Sequence, residues 1–241
     1  MMKLAIMQPY FFPYIGYFQL IAAVDVFVVY DDVQYIKNGW INRNQILLNK
    51  RASWITLPVE RGHLHDNINQ RHFVNYKQAC VKILNQLYAA YRKAPCFREA
   101  NSLIESLLML KGDNVAGTLK RQLEELSRCL DFSTKFINSA DLKQPEAALD
   151  GQDRVIEICR AMKASEYYNA IGGIPLYDPA AFAQSGITLR FLQPRHTTYK
   201  QFDHPFVPNL SLIDVLMFNR LEQVNRMLLE FDLLDKPLGF S

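Results

Sequence analysis

The sequence predicts an α/β fold on a mainly parallel sheet, interrupted by an inserted helical segment. Three observations carry that expectation. Residues 4–32, LAIMQPYFFPYIGYFQLIAAVDVFVVYDD, read as a strand, a tight loop, a short helix and a second strand. Two strands joined through a helix run parallel, because an antiparallel pair closes with a turn alone. Alternation of strand and helix returns after residue 134, whereas residues 76–131 carry helical periodicity only. Alternating elements make a parallel sheet, and a run of helices within them reads as an insertion.

Each element has its own justification. Leu4, Ala5, Ile6 and Met7 form the short apolar run of a strand buried on both faces. Gln8-Pro9 ends it, and residues 11–14 form an aromatic loop around Pro13. Residues 15–24 carry apolar side chains at helical spacing until Asp25. The β-branched and aromatic run 26–30 makes the second strand, closed by Asp31-Asp32. Asn38-Gly39 is a strong turn signal and 49–52 a weaker one. Between and after them, 40–48 and 53–59 read as a hairpin, followed by a polar surface loop at 60–69.

Cys80, Ile83, Leu84, Leu87, Tyr88 and Tyr91 recur at helical spacing up to Pro95. Asn101-Ser102 is the expected cap of a second helix through Leu110, and Asp113-Asn114 that of a third through Leu130. Then follow a strand at 134–138, a loop at 146–150, a helix at 152–162 and a strand at 166–171. A helix at 178–184, a strand at 187–192 and one closing helix at 211–233, capped by Ser211, complete the chain. The division is an N-terminal part of the α/β domain at 1–75, a helical insertion at 76–131, and a C-terminal part with the closing helix at 132–241. A Rossmann-like strand order, with the first strand central, is the doubly wound arrangement expected of these parts.

Composition bounds the partners. The 241 residues carry 27 basic and 24 acidic side chains, a net charge of +3, with 49% hydrophobic and 21% charged residues. So balanced a charge argues for no nucleic-acid partner, which leaves a clustered basic face. Cys80, Cys96, Cys129 and Cys159 lie far apart without a C-x-x-C pair, the usage of reduced thiols. No window approaches the roughly 20 apolar residues of a membrane span, and no signal-peptide core is present, so a cytoplasmic location is expected. The oligomeric state is left open.

Ligands of parallel sheets lie beyond the carboxyl ends of the strands, which directs attention to residues 8–17 and to Asp31 onward. Beyond Gln8 and Pro9, which end the strand and are candidates to bind the ligand, Tyr10, Phe11, Phe12, Tyr14, Tyr17 and Phe18 crowd a segment that forms a loop and a helix start. Aromatic area in a loop needs covering, by a ligand or by a lid from elsewhere in the chain. Gly16 lets a ligand approach the backbone, and the free amides of a first helical turn can receive a phosphate. Plugging the end of the sheet is the structural alternative.

A second group is Asp31, Asp32, Tyr35, Lys37, Trp40, Asn42, Arg43 and Asn44. The aspartates can hold a ribose hydroxyl or a metal-bound phosphate, or serve as a strand-end turn pair. An extended W-I-N-R-N run places Trp40, Asn42 and Asn44 on one face, a platform for a sugar or base, with Arg43 on the other. Lys37 or Arg43 can neutralise charge on phosphate or carboxylate. A third group is Gly172, Gly173 and Tyr177, where glycines permit close backbone approach. A fourth is Arg190, Arg195, His196, Tyr199 and Lys200, positioned as a late basic segment. His63, His65 and Asp66 lack an identifiable third metal ligand, so no metal site is assigned.

Two resemblances extend this reading. Pro13-Tyr14-Ile15-Gly16-Tyr17, between a first strand and a first helix, resembles the H-I-G-H signature of nucleotidylyltransferases and pantothenate synthetases. That likeness implies ATP phosphates held at the loop, with tyrosines Tyr14 and Tyr17 where the two histidines stand. A tyrosine hydroxyl can donate to phosphate but lacks an imidazolium charge. No K-M-S-K-S or I-S-S-T-x-x-R run follows, so Arg195 and Lys200 are positional candidates alone.

The whole chain also resembles the WbqC-like protein family. The likeness rests on MQPYFFPYIGYFQLI, VYDDVQYIKNGWINRN, ITLPV, IGGIPLYD and NLSLIDVLMFN. Some members of that family are encoded among bacterial surface-polysaccharide genes. Together these imply a nucleotide-dependent transferase or ligase acting in polysaccharide biosynthesis on a small-molecule substrate. ATP or a nucleotide-sugar, with magnesium as an accompanying ion, is the implied cofactor. A nucleotide-sugar or glycan binding protein without turnover is the alternative.

Overall fold

The protein is described by a computed structural model over residues 1–142, 149, 151–195 and 198–235. The expected loop at 146–150, Leu149 apart, and His196 lie outside the described residues. The opening unit comprises β1 (Lys3–Met7), α1 (Ile15–Ala22) and β2 (Val26–Val29). A hairpin of β3 (Arg43–Leu48) and β4 (Arg51–Thr56) follows. Next come α2 (Tyr76–Tyr91), α3 (Phe97–Met109) and α4 (Val115–Cys129). The chain then returns through β5 (Lys135–Asn138), α5 (Gly151–Ala161), β6 (Glu166–Ala170), α6 (Pro179–Gln184) and β7 (Thr188–Pro194). It closes with α7 (Leu212–Phe218), α8 (Leu221–Met227) and β8 (Phe231–Leu234).

The main sheet has the order β5-β2-β1-β6-β7-β8, and every pairing is parallel except β7 with β8. With the hairpin set aside, this is the third-second-first-fourth-fifth-sixth order of a doubly wound sheet. The first strand is central, as the sequence predicts. Residues alternate between two packed faces. Ala5, Phe27, Val29, Tyr168 and Leu192 join the core formed with α1, the hairpin, α2 to α4, α7 and α8. Leu4, Ile6, Val26, Val28, Tyr167 and Phe191 meet Val155 and Cys159 of α5 and Phe182 of α6. Burial on both faces is why the first two strands read as unbroken apolar runs.

The hairpin turns through Asn49 and Lys50, both left-handed at φ 53° and 63°. That is the backbone of a two-residue turn matching strand twist. Asn114 caps α4 by accepting from the Gly117 amide at 2.8 Å, as its position predicts.

Two expectations are corrected. The second helix starts at Phe97, so Asn101 and Ser102 lie inside it rather than at its cap. A tight turn explains this: the Ala94 amide donates to the Tyr91 carbonyl and the Phe97 amide to the Ala94 carbonyl, restarting the helix directly after Pro95. The closing helix expected at 211–233 is α7, α8 and a strand. Asn219 is extended and donates its side-chain amide to the Val215 carbonyl, ending α7. The buried Gln19 amide then takes the Met227 and Glu230 carbonyls at 2.8 and 3.0 Å, closing the end of α8. Residues 231–234 satisfy their backbone groups on the open edge of β7, which overrides the helical propensity of this leucine-rich stretch.

Candidate functional site

The strand order reverses between β1 and β6, which lie side by side. From the carboxyl end of β1 the chain enters α1 on one face; from that of β6 it enters α6 on the other. Where helices part in this way, doubly wound sheets place their ligand crevice outside the strand ends. Here that position lies between Gln8-Pro9 and Ala170 to Gly173. Gly172 is exposed, and a Cβ there would meet nothing within 4 Å. Gly173 is buried, and a Cβ there would press on the Asn169 amide at 2.9 Å. The two glycines thus do different work, one open to the crevice and one fitting the turn.

The 8–17 loop is held from elsewhere in the chain. The Asn44 amide donates to the carbonyls of Phe11 and Phe12 at 3.0 and 2.9 Å, and the Ser211 hydroxyl to that of Phe12 at 2.6 Å. The Leu212 amide takes the Pro13 carbonyl, and the Phe11 amide donates to the Trp40 carbonyl. The hairpin and the start of α7 therefore form the cover that so aromatic a loop needs. Tyr17 is buried and donates its hydroxyl to the Gln8 carbonyl at 2.7 Å; burial pushes its pKa well up. Tyr10 and Tyr14 are half-buried, and Tyr10 packs on Tyr17 with ring centroids 5.5 Å apart. The Tyr14 ring covers Gly16. A Cβ at Gly16 would meet that ring at 2.5 Å and Pro194 at 2.8 Å, so the first turn of α1 lies tight against the end of β7.

Asp31 and Asp32 leave the end of β2 in opposite roles. Asp31 is buried; its Oδ1 accepts from the Ser139 hydroxyl at 3.1 Å and the Ala140 amide at 3.0 Å. Burial raises its pKa, and those hydrogen bonds oppose the rise. Asp32 accepts from Ser139 through one oxygen and pairs with Arg154 of α5 through the other. The Arg154 guanidinium also lies over the Tyr30 ring, 5.0 Å from its centroid. Tyr177 is half-buried, with its hydroxyl 3.4 Å from that of Tyr167. The aspartates thus tie β2, β5 and α5 together at the sheet edge.

On the hairpin the sequence expectation is partly corrected. Asn42 and Asn44 are buried, but Trp40 lies in the bend before β3 and is 41% exposed, so the three do not share a face. The Asn42 amide donates to the Leu57 carbonyl at 2.8 Å and its oxygen accepts from the Tyr35 hydroxyl at 2.9 Å. Arg43 donates to the carbonyls of Asn38 and Gly39 and stacks on Trp54, 4.1 Å from the ring centroid. Lys37 is exposed.

The sequence profile of the WbqC-like protein family matches residues 8–226. The chain belongs to this family. A relative, the uncharacterized protein Rv1507c of Mycobacterium tuberculosis, is 33% identical over 224 residues, covering 91% of this chain and 94% of its own. No solved structure matches the chain.

The remaining candidates of this WbqC-like protein separate into two places. Arg195 is exposed, paired with Asp232 of β8. Tyr199 and Lys200 line a cleft of about 590 Å³ with Pro95, Phe202, Phe218 and Met227, and Lys200 pairs with Asp203. Behind Tyr199 sits a residue that sequence reasoning passed over. Asp214, fully buried in α7, accepts from the hydroxyls of Tyr91 at 2.7 Å and Tyr199 at 2.6 Å and from the Gln201 amide at 2.6 Å. Burial raises its pKa, and the hydrogen bonds from these three neutral donors oppose the rise. One signal was available: an aspartate inside the apolar run L-I-D-V-L-M-F of a helix must be buried and partnered. Ser139, Arg154 and Trp54 were also missed. A serine after a strand, an arginine on an amphipathic helix and a tryptophan in a hairpin carry no local mark of their tertiary partners.

Proposed function

We propose that the protein binds ATP or a nucleotide-sugar in the switch-point crevice. There it serves as a transferase or ligase of the nucleotidyl-transfer class in bacterial surface polysaccharide (O-antigen type) biosynthesis. The observation that carries this reading is the strand order, with β1 and β6 adjacent and their following helices on opposite faces. The start of α1 would receive phosphate there, as helix N-termini do, once the Tyr14 ring that covers Gly16 moves aside. Gly16 admits no side chain between Tyr14 and Pro194, which fixes that turn against the end of β7. Gly172 gives the opposite wall an open backbone.

In one concrete version a carboxylate is activated as its adenylate and the acyl group passes to an amino sugar. Lys37 or Arg43 neutralises developing charge, and Tyr14 and Tyr17 orient phosphates. Asp31 Oδ1 and both Asp32 oxygens already have protein partners, so magnesium arrives on the nucleotide rather than in a protein cage. Calorimetric titration with ATP, magnesium and a panel of nucleotide-sugars tests the reading. Binding of a sugar without any nucleotide affinity would sink it. In a working transfer assay, Tyr17→Phe should reduce turnover; full activity in that variant would remove its phosphate contact.

The alternative is a nucleotide-sugar or glycan binding protein without turnover. A specific observation favours it: the Tyr17 hydroxyl is engaged by the Gln8 carbonyl and faces inward. Nucleotide-sugar binding with no product after prolonged incubation would select this second reading.

A further inference from the structure

The chain contains two tryptophans, and folding places them against each other at the surface. Trp40 and Trp54 lie with ring centroids 5.2 Å apart at 40°, and they are 41% and 39% exposed. Trp40 comes from the bend before β3 and Trp54 from β4, opposite Gln45. Exposing so much indole is unfavourable unless something covers it. Arg43 covers part of Trp54, and its guanidinium is itself fixed by the carbonyls of Asn38 and Gly39. The remaining indole surface is therefore held on a rigid support.

Charge identifies what that surface accepts. Residues 33–59 contain Lys37, Arg43, Lys50 and Arg51 and no aspartate or glutamate. Among the described residues none of these four cations has a carboxylate partner. Of the four, Arg43 lies on the aromatic pair itself, its guanidinium 4.1 Å from the Trp54 ring centroid. An aromatic step that carries a guanidinium, in a stretch of chain without aspartate or glutamate, suits a ligand with a flat apolar face and a negative charge.

We propose that Trp40, Trp54 and Arg43 form a saccharide subsite for an acidic sugar residue. The C–H face of the ring packs on the indoles, and the carboxylate or phosphate of the sugar meets Arg43 and Lys37. The hydrogen bond from Phe11 to the Trp40 carbonyl places this subsite beside the 8–17 loop. The inference rests on the glycan part of the proposed function and requires no nucleotide binding.

Because both tryptophans lie in the subsite, intrinsic tryptophan fluorescence reports on it alone. Titration of the full chain with 3′-sialyllactose and with trigalacturonate should shift and quench the emission, more strongly at low than at high salt. Neutral lactose should bind at least several-fold more weakly. Trp54→Ala should weaken the acidic sugars about tenfold or more, the scale that alanine substitution shows at aromatic stacking platforms. Trp40→Phe, which keeps a ring in place, should lose less. Circular dichroism melts of both variants separate lost binding from lost folding. No response to either acidic sugar overturns the proposal. So does preference for an oligothymidylate over the sugars, which would make the step a nucleic-acid platform. So too does an emission shift with protein concentration alone, matched by dimer in sedimentation, which would make it a self-contact. Calorimetric ATP binding, read separately, tells failure of this subsite from failure of the crevice.

Discussion

Two aromatic stretches of this chain meet opposite fates. Residues 8–18 hold six aromatic rings, and folding buries Phe11, Phe12, Tyr17 and Phe18 almost completely. Their cover comes from the chain itself, through Asn44, Ser211 and Leu212. The hairpin and the bend before it carry two tryptophans and leave both at the surface, with Arg43 stacked on Trp54. Aromatic density along a sequence therefore measures how much must be covered. Aromatic exposure after folding marks what is left to bind.

Alkaline pH should separate buried rings from exposed ones most strongly. Tyr17, Tyr91, Tyr167 and Tyr199 have hydroxyl pKa values pushed up, first of all by burial. In the unfolded chain they ionise near pH 10. Their stabilising contribution is fully present below that pH. It is lost as pH rises, because the unfolded state then gives up protons that the folded state retains. Phenolate absorbance from this group should appear together with the collapse of the far-ultraviolet circular dichroism. If all the tyrosines ionise while the dichroism is unchanged, the loop is not buried as described.

Next in size is Asn44→Ala, which leaves the buried carbonyls of Phe11 and Phe12 without that donor. Unfolding free energy from urea titration should fall by about 2–4 kcal/mol. A loss below about 0.5 kcal/mol, within the range of neutral surface changes, would mean that the hairpin does not hold the loop. Gly16→Ala forces a methyl onto the Tyr14 ring and Pro194 and should cost about 1–3 kcal/mol in the same measurement. An unchanged midpoint would show that the first turn of α1 has room to spare. The smallest effect belongs to the other stretch. Trp54→Ala removes an exposed ring and one cation–π contact, so it should cost about 1 kcal/mol or less. A loss several times larger would make Trp54 a core residue and erase the contrast.

How much of this was legible depends on where each partner lies in the chain. Leu4 to Met7 and residues 26–30 announced strands buried on both faces, because their neighbours along the chain are as apolar as they are. Asn114 announced its cap because the amide that it accepts from is three residues away. Asn101-Ser102 carried the same kind of signal and misled, since the turn after Tyr91 had already restarted the helix. At the candidate site, Gly16 and Gly173 lie where a Cβ would press on protein atoms, whereas Gly172 has nothing within 4 Å, a difference that the sequence does not announce. The covering of Phe11 and Phe12 was foreseen as a need, without its source. Ser139 and Arg154 act on residues about 100 or more positions distant, and nothing in their own surroundings points there; Asp214 announces its burial but not its bond to Tyr91, equally far away.

Period-two and helical patterns are written in the sequence. They specify the central parallel strands and the run of helices between β4 and β5. Tertiary structure decided what those patterns leave open. It made residues 231–234 a strand, because the edge of β7 offered backbone partners that a helix could not use. It turned the first aromatic loop inward, because the hairpin and α7 supply donors for its carbonyls. It left Trp40 and Trp54 outward, because the hairpin packs its other face on the core. Local periodicity fixes which residues share a face; only packing fixes which face meets water.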